Sequence, residues 1–256
     1  MAAFFVIGSQ STAIAGRLDG ARSLNNKPYG YAITKEIARA GRYAQRFEVR
    51  AGDCAAEGRW SDCRNDRERS EIRLKERWRY GANRWIGFSV YLPADFTTSQ
   101  KVRTTVGQIH QRGGPSGTAS GLPSFPPLMQ LEMRGDSYYM GVHILTGKSG
   151  SVRDSVSKFP LAAISRMRGR WTDVQIHFDT SGKRQLLEVF VDGQKKGELQ
   201  DWINFRPKDY YFKYGIYRSF VSRHGKAMPT QILYIDEVRM GSSRRAVAAD
   251  GNSPVD

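Results

Sequence analysis

From about residue 46 to residue 240 the chain alternates apolar and polar positions with period two. The runs are short, rich in aromatic and β-branched residues, and broken by turn dipeptides. Phe88, Val90 and Leu92 alternate with Gly87, Ser89 and Tyr91 until Pro93 ends the run. Met129, Leu131 and Met133 alternate with Gln130, Glu132 and Arg134. Gly135-Asp136 then turns the chain into Tyr138, Met140, Val142 and Ile144, the signature of a hairpin. Val174, Ile176 and Phe178 form the next apolar set. Leu187, Val189 and Val191 follow, closed by Asp192-Gly193, and a last strand is expected from Leu233 to Met240. Helical periodicity is weak throughout, with one short helix expected near Thr34 to Arg42. So many strands with one apolar and one polar face require two antiparallel sheets packed face to face. The expectation is an all-β sandwich or β-jelly-roll, as a single domain over residues 21–241.

Three segments depart from this pattern. Arg112 to Pro127 is rich in glycine and proline and follows His110 directly, so it reads either as a functional lid or as a surface excursion. Residues 242–256 turn to Ser, Arg, Ala, Asp and Pro and are expected to be a disordered tail without a site. Residues 1–20 open on an apolar stretch, and Ala13-Ile14-Ala15 before Gly16 resembles a small-residue cleavage site. No basic region precedes it, so the segment reads as a weak or truncated secretory signal. No apolar run reaches the roughly 20 residues that span a bilayer, and no membrane partner is expected.

Charge adds a second constraint. Forty Lys and Arg against 25 Asp and Glu give a formal net charge of +15, so the partner should be anionic: nucleic acid, an anionic membrane or an acidic polysaccharide. The basic residues are scattered, and no zinc-finger, P-loop or basic-zipper pattern accompanies them, which argues against nucleic acid. Cys54 and Cys63 are the two cysteines; their spacing permits a disulfide-closed loop or two free thiols, and a zinc site lacks further ligands.

Three strings carry candidate chemistry. In Arg69-Ser70-Glu71-Ile72-Arg73, Gln108-Ile109-His110 and Tyr211-Phe212-Lys213-Tyr214-Gly215-Ile216-Tyr217-Arg218, hydrogen-bonding or charged groups stand two residues apart, so on strands they point to one face. Such a face suits β-elimination from a uronic acid. The C5 proton is weakly acidic beside an ionised carboxylate, so the site must neutralise that carboxylate, remove the proton and protonate the departing C4 oxygen. Gln108 and Arg69 or Arg73 can engage the carboxylate, His110 can act as base, and Tyr217 can act as acid or base. Plainer readings exist for each: a structural histidine, core tyrosines, and a solvated ion-paired face for Arg69, Glu71 and Arg73.

The three strings, in this order, resemble those of the alginate lyase-like and heparin lyase I-like polysaccharide lyases. The flanks Trp85-Ile86-Gly87-Phe88-Ser89-Val90-Tyr91-Leu92-Pro93, Gly169-Arg170-Trp171-Thr172-Asp173 and Val189-Phe190-Val191-Asp192-Gly193, with the ending Tyr217-Arg218, are similar to the heparin lyase I-like branch. The resemblance implies a β-jelly-roll lyase in which Gln108 and Arg69 engage the substrate carboxylate and His110 and Tyr217 transfer protons. Arg73, Glu71, Lys213, Arg218 and Tyr211 would then support substrate binding. Whether His110 or Tyr217 is the base depends on the uronate epimer. Tyr214 and Arg218 depart from the alginate lyase pattern, which leaves glucuronan, heparin-like and alginate-like chains all open as substrates. No organic cofactor is needed, and Asp236-Glu237 is a thin basis for the calcium that some relatives bind. The expectation is a monomer, secreted or periplasmic, acting on an anionic polysaccharide. The competing reading is a non-catalytic carbohydrate-binding jelly roll, which would not need His110 and Tyr217 together.

Overall fold

The computed structural model describes residues 20–58, 60–112, 126–148 and 151–249. With strands numbered in chain order, one seven-stranded antiparallel sheet runs β1 (Gly20–Ser23), β6 (Arg67–Trp78), β15 (Asp209–Ser219), β8 (Arg103–Arg112), β9 (Met129–Arg134), β10 (Ser137–Thr146) and β11 (Arg153–Ala163). The second runs β14 (Gln194–Gln200), β13 (Leu186–Val191), β12 (Trp171–Asp179), β7 (Asn83–Tyr91), β16 (Gln231–Gly241), β3 (Ala44–Val49) and β2 (Tyr31–Thr34). A small hairpin, β4 (Ala56–Glu57) and β5 (Trp60–Ser61), stands apart from both. This is the all-β jelly-roll architecture that the alternation predicts.

The period-two pattern decides what each sheet turns inward. Ile72 and Leu74 of β6, Phe212, Tyr214 and Ile216 of β15, and Met129, Leu131 and Met133 of β9 come from the first sheet. They meet Phe88 and Val90 of β7, Val174, Ile176 and Phe178 of β12, and Leu233 and Ile235 of β16 in one continuous apolar core. The intervening residues of β6, β15 and β8 necessarily take the other face. Inward alternation also claims Arg218, which is fully buried. Its guanidinium donates to the Pro229 and Arg50 carbonyls and pairs with Glu68 at 2.5 Å.

Register along β15 is broken twice. One shift lies between Tyr211 and Lys213 against β6, and one between Tyr214 and Tyr217 against β8. Gly215, at φ +129, sits beside the second. A Cβ there would stand 2.4 Å from the Ser70 carbonyl oxygen, so only glycine lets β15 approach β6 so closely.

Two expectations change, and the alternative left open for the cysteines is resolved. No helix forms over Thr34 to Arg42. After β2 the segment runs as bends, held down by the Arg39 backbone N–H to Asp236 and by the Arg39 guanidinium on Asp173 at 2.8 Å. The predicted tail is ordered at its start: Arg245–Val247 forms a 3-10 turn and Val247 is 2% exposed, lying so close to Gly87 that a Cβ there would clash with its carbonyl. Cys54 and Cys63 are joined as a disulfide. The signal reading of residues 1–19, most of the Gly/Pro-rich stretch (113–125) and the last residues of the tail (250–256) lie outside the described residues.

Candidate active site

The outer face of the first sheet assembles the three strings. Lys213 of β15 lies opposite Arg73 of β6 on one side and Gln108 of β8 on the other, and Gln108 in turn opposes Gln130 of β9. Tyr211 opposes His110 in the next row out, and Tyr217 opposes Arg69 and Thr105. Above these rows lies a groove of about 520 Å³, lined by Arg69, Arg73, Gln108, His110, Tyr211, Lys213 and Tyr217 together with residues of neighbouring strands and loops. Eight of the nine residues expected at the site are therefore gathered here, with Glu71 forming the floor beneath the lining. Arg218 is the exception: it faces the opposite side of its strand and ties β15 to the loops around Arg50 and Pro229.

Glu71 organises the floor. It is 2% exposed. One carboxylate oxygen accepts the Gln108 amide at 2.6 Å, and the other accepts Lys213 Nζ at 2.6 Å and the Arg69 guanidinium at 3.0 Å. Burial disfavours its charge, but Lys213 and Arg69 outweigh that and hold the carboxyl below the usual range. Burial likewise pulls Lys213 down to about 8, against the pull of Glu71. Glu71 therefore acts as an internal counter-ion that fixes three side chains.

Arg69 is placed differently from the expectation. Its fork is filled by Asp62, which accepts from Nε at 2.5 Å and from the second terminal nitrogen at 2.6 Å. Burial opposes its charge, and Glu71 and Asp62 more than compensate, so the guanidinium is held firmly protonated. With the fork of Nε and one terminal nitrogen on Asp62 and the other terminal nitrogen on Glu71, Arg69 does not turn that fork to the groove. It lies instead 4.3 Å from the centroid of the Tyr217 ring. Arg73 is the exposed arginine of the string, and it stands in the same row as Lys213 and Gln108.

Two residues that complete this corner lie outside the three strings. Asp62, fully buried, precedes Cys63 of the disulfide, and its backbone N–H is tied to the Ala55 carbonyl. Nothing in its sequence neighbourhood marks it. Arg67 stands two residues before Arg69 on the same strand, and its Nε donates to the Tyr217 hydroxyl at 3.0 Å. Extending the alternation of the first string by one step finds it.

The His110 ring stacks on Tyr211, with centroids 5.4 Å apart, and its Nδ1 lies 2.9 Å from the Gln111 backbone nitrogen. Burial first and the Lys213 charge second lower its pKa to about 4, so the imidazole is neutral at physiological pH. His143 of β10 also lines the groove, its Nδ1 held 2.9 Å from Asp154.

Asp236 and Glu237, considered for calcium, do not fit a cation cage. The Asp236 carboxylate is taken by the backbone N–H groups of Arg39 and Glu237, and Glu237 pairs with Arg239 at 2.7 Å. Among the described residues no group of three or more acidic, histidine or cysteine side chains is arranged to hold a metal ion.

The fold is shared with known proteins. A family model described as polysaccharide lyase matches residues 13–239. Among solved structures, an endo-β-1,4-glucuronan lyase from the fungus Trichoderma reesei superposes with a TM-score of 0.69 at 17% identity, over 93% of this chain and 96% of that one. The exolytic alginate lyase AlyA5 from Zobellia galactanivorans gives 0.57 at 12% identity, over 88% and 95%. The alginate lyase AlgAT5 gives 0.55 at 15%, over 85% and 83%. No curated protein sequence matches the chain.

Proposed function

Because this chain belongs to the polysaccharide lyase family, matched over residues 13–239, we propose that it cleaves a uronate polymer, glucuronan foremost, by β-elimination at the groove above β6, β15 and β8. The observation that carries this reading is the setting of Tyr217. Its hydroxyl accepts a hydrogen bond from Arg67, its ring lies under Arg69, and it opens onto the groove that Arg73, Gln108 and Lys213 share. Glucuronan is favoured among the uronates by a neighbour that covers nearly the whole of both chains.

In this mechanism Arg73 pairs with the carboxylate of the reacting sugar, aided by the positive field of Lys213 and the Gln108 amide. Withdrawing charge from the carboxylate lets C5 lose its proton to form an enolate-like state. In a glucuronate ring the C5 hydrogen and the C4 oxygen project from the same side, so a single group can serve both steps. Tyr217 takes the C5 proton as its phenolate and returns it to the departing C4 oxygen, giving an unsaturated sugar end and a free hydroxyl. Arg67 and Arg69 offset the negative charge on the phenol oxygen. Neutral His110 borders the same groove and orients the ring.

The test is a panel of glucuronan, heparin-like and alginate polymers followed by the ultraviolet absorbance of unsaturated ends. Product from glucuronan with wild type, and an approximately 10³-fold slower rate for Tyr217→Phe, is the expected result. An unimpaired Tyr217→Phe variant would remove the mechanism, and product from another polymer alone would replace the substrate.

A further inference from the structure

Of the exposed large apolar side chains among the described residues, Ile33, Trp60 and Val156, Trp60 is the one that lines the groove, and it is 39% exposed. Its position is built rather than incidental. The indole Nε1 donates to one oxygen of Asp62 at 2.9 Å, and the same carboxylate grips Arg69 through both oxygens. Arg69 then lies 4.3 Å from the Tyr217 ring centroid. An unbroken chain of contacts thus runs from an exposed indole through a carboxylate and a guanidinium to the phenol that transfers the proton. The hairpin that carries Trp60 is clamped by the Cys54–Cys63 disulfide and by the Asp62 N–H to the Ala55 carbonyl.

We propose that Trp60 is a stacking platform for one pyranose ring of the polyuronate, adjacent to the ring that reacts at Tyr217, and that it sets the register of the polymer in the groove. This rests on the polyuronate reading above and deepens it. A pyranose presents C–H groups on its faces, and these pack on an aromatic face while the ring hydroxyls and carboxylate point outward to polar partners. Anchoring Trp60 by its N–H edge leaves its faces as the surface offered to a ligand. Tying that edge to the carboxylate that also holds Arg69 fixes the platform relative to Tyr217. A ring held in place before the ligand arrives adds affinity without the cost of ordering a side chain.

The test uses the full chain carrying Tyr217→Phe, so that an oligoglucuronate can be titrated without being cut. In that background Trp60→Ala should raise Kd about tenfold, the loss of one stacked aromatic contact, while Trp60→Phe, which keeps a stacking face but loses the anchoring N–H, should fall between wild type and Trp60→Ala. With Tyr217 intact, Trp60→Ala should raise KM about tenfold and change kcat about twofold or less. Near-ultraviolet circular dichroism checks that each variant keeps its packing. Unchanged Kd in Trp60→Ala would overturn the platform. An equal fall of kcat in both Trp60 variants with Kd preserved would also overturn it, leaving the indole as a support for Asp62. If no polyuronate is bound or cleaved by any form, including wild type, the functional reading falls and the platform with it. Cleavage by wild type with tight binding by Trp60→Ala overturns the platform alone.

Discussion

Arg67 Nε donates to the Tyr217 hydroxyl oxygen at 3.0 Å, joining residues 150 positions apart, and it does so on the phenol atom that would carry negative charge during proton transfer. The Arg67 guanidinium is itself seated 3.8 Å from the Phe220 ring centroid, and it donates to the Asp66 carbonyl, so its direction is fixed. A fixed donor aimed at a developing oxyanion stabilises the reacting state more than the bound substrate. Arg67→Met should therefore lower kcat about 100-fold on glucuronan with little change in KM. Arg67→Lys, which keeps the charge but loses the directed fork, should fall in between. Steady-state kinetics reads both, and an unchanged kcat in Arg67→Met would exclude the contact from the reaction.

Asp62 is predicted to matter for stability and activity together. It is the bidentate partner of a buried arginine, and removing it leaves the Arg69 charge without its main counterpart away from water. Breaking a buried pair of this kind costs about 3–5 kcal/mol. Asp62→Ala should lose about that much in urea unfolding, and it should also slow turnover because Arg69 is no longer pinned over Tyr217. A loss below about 1 kcal/mol would mean that Glu71 alone satisfies Arg69.

How far the sequence reached is seen best at β6. The string Arg69-Ser70-Glu71-Ile72-Arg73 was legible because alternation on a strand is a local rule, and the register with Lys213 and Gln108 followed from the same face. Hidden from view was the loop that delivers Asp62, because a disulfide-closed turn has no periodicity. Arg69 was consequently read as a free fork when its Nε side is already clasped by Asp62. Arg218 failed for the opposite reason. Likeness of the Tyr217-Arg218 ending drew it into the site, whereas the period of two places it on the inner face, where it pairs with Glu68. The Thr34 to Arg42 segment lost its helix to tertiary contacts: Asp236 and Asp173 lie far along the chain, and no local signal announces them.

The neutral His110 imidazole makes a pH prediction. Its folded value of about 4 lies below the ordinary 6.5, so between those pH values the unfolded chain binds more protons than the folded one. Stability should then rise with pH from 4 to 6.5 on account of this residue. The full contribution, about 3 kcal/mol, is present above 6.5 and lost as pH falls through 4. His110→Gln should flatten that part of the curve of unfolding free energy against pH, measured by urea denaturation at several pH values. The same ionisation should place any His110-dependent acid limb of kcat/KM near pH 4 rather than near 6.5. Identical slopes for wild type and variant would show that the imidazole titrates normally.

Gly215 gives the sharpest test of how backbone approach serves the site. At φ +129 an alanine is strained, and its Cβ would stand 2.4 Å from the Ser70 carbonyl oxygen and 2.9 Å from the Glu71 Cα, both backbone atoms of β6. Relief requires β15 to move away from β6 between Lys213 and Tyr217, the two residues of this strand that face Glu71 and Arg69. Gly215→Ala should therefore cost about 2–4 kcal/mol in unfolding free energy. At a temperature where the variant is still folded, it should also lower kcat, because Tyr217 shifts relative to Arg69 while the Glu71 to Lys213 bond lengthens. Ser219→Ala, on the same strand but beyond the bulge, is the control and should retain near wild-type stability. An active, stable Gly215→Ala protein would show that the two strands can separate without disturbing the groove.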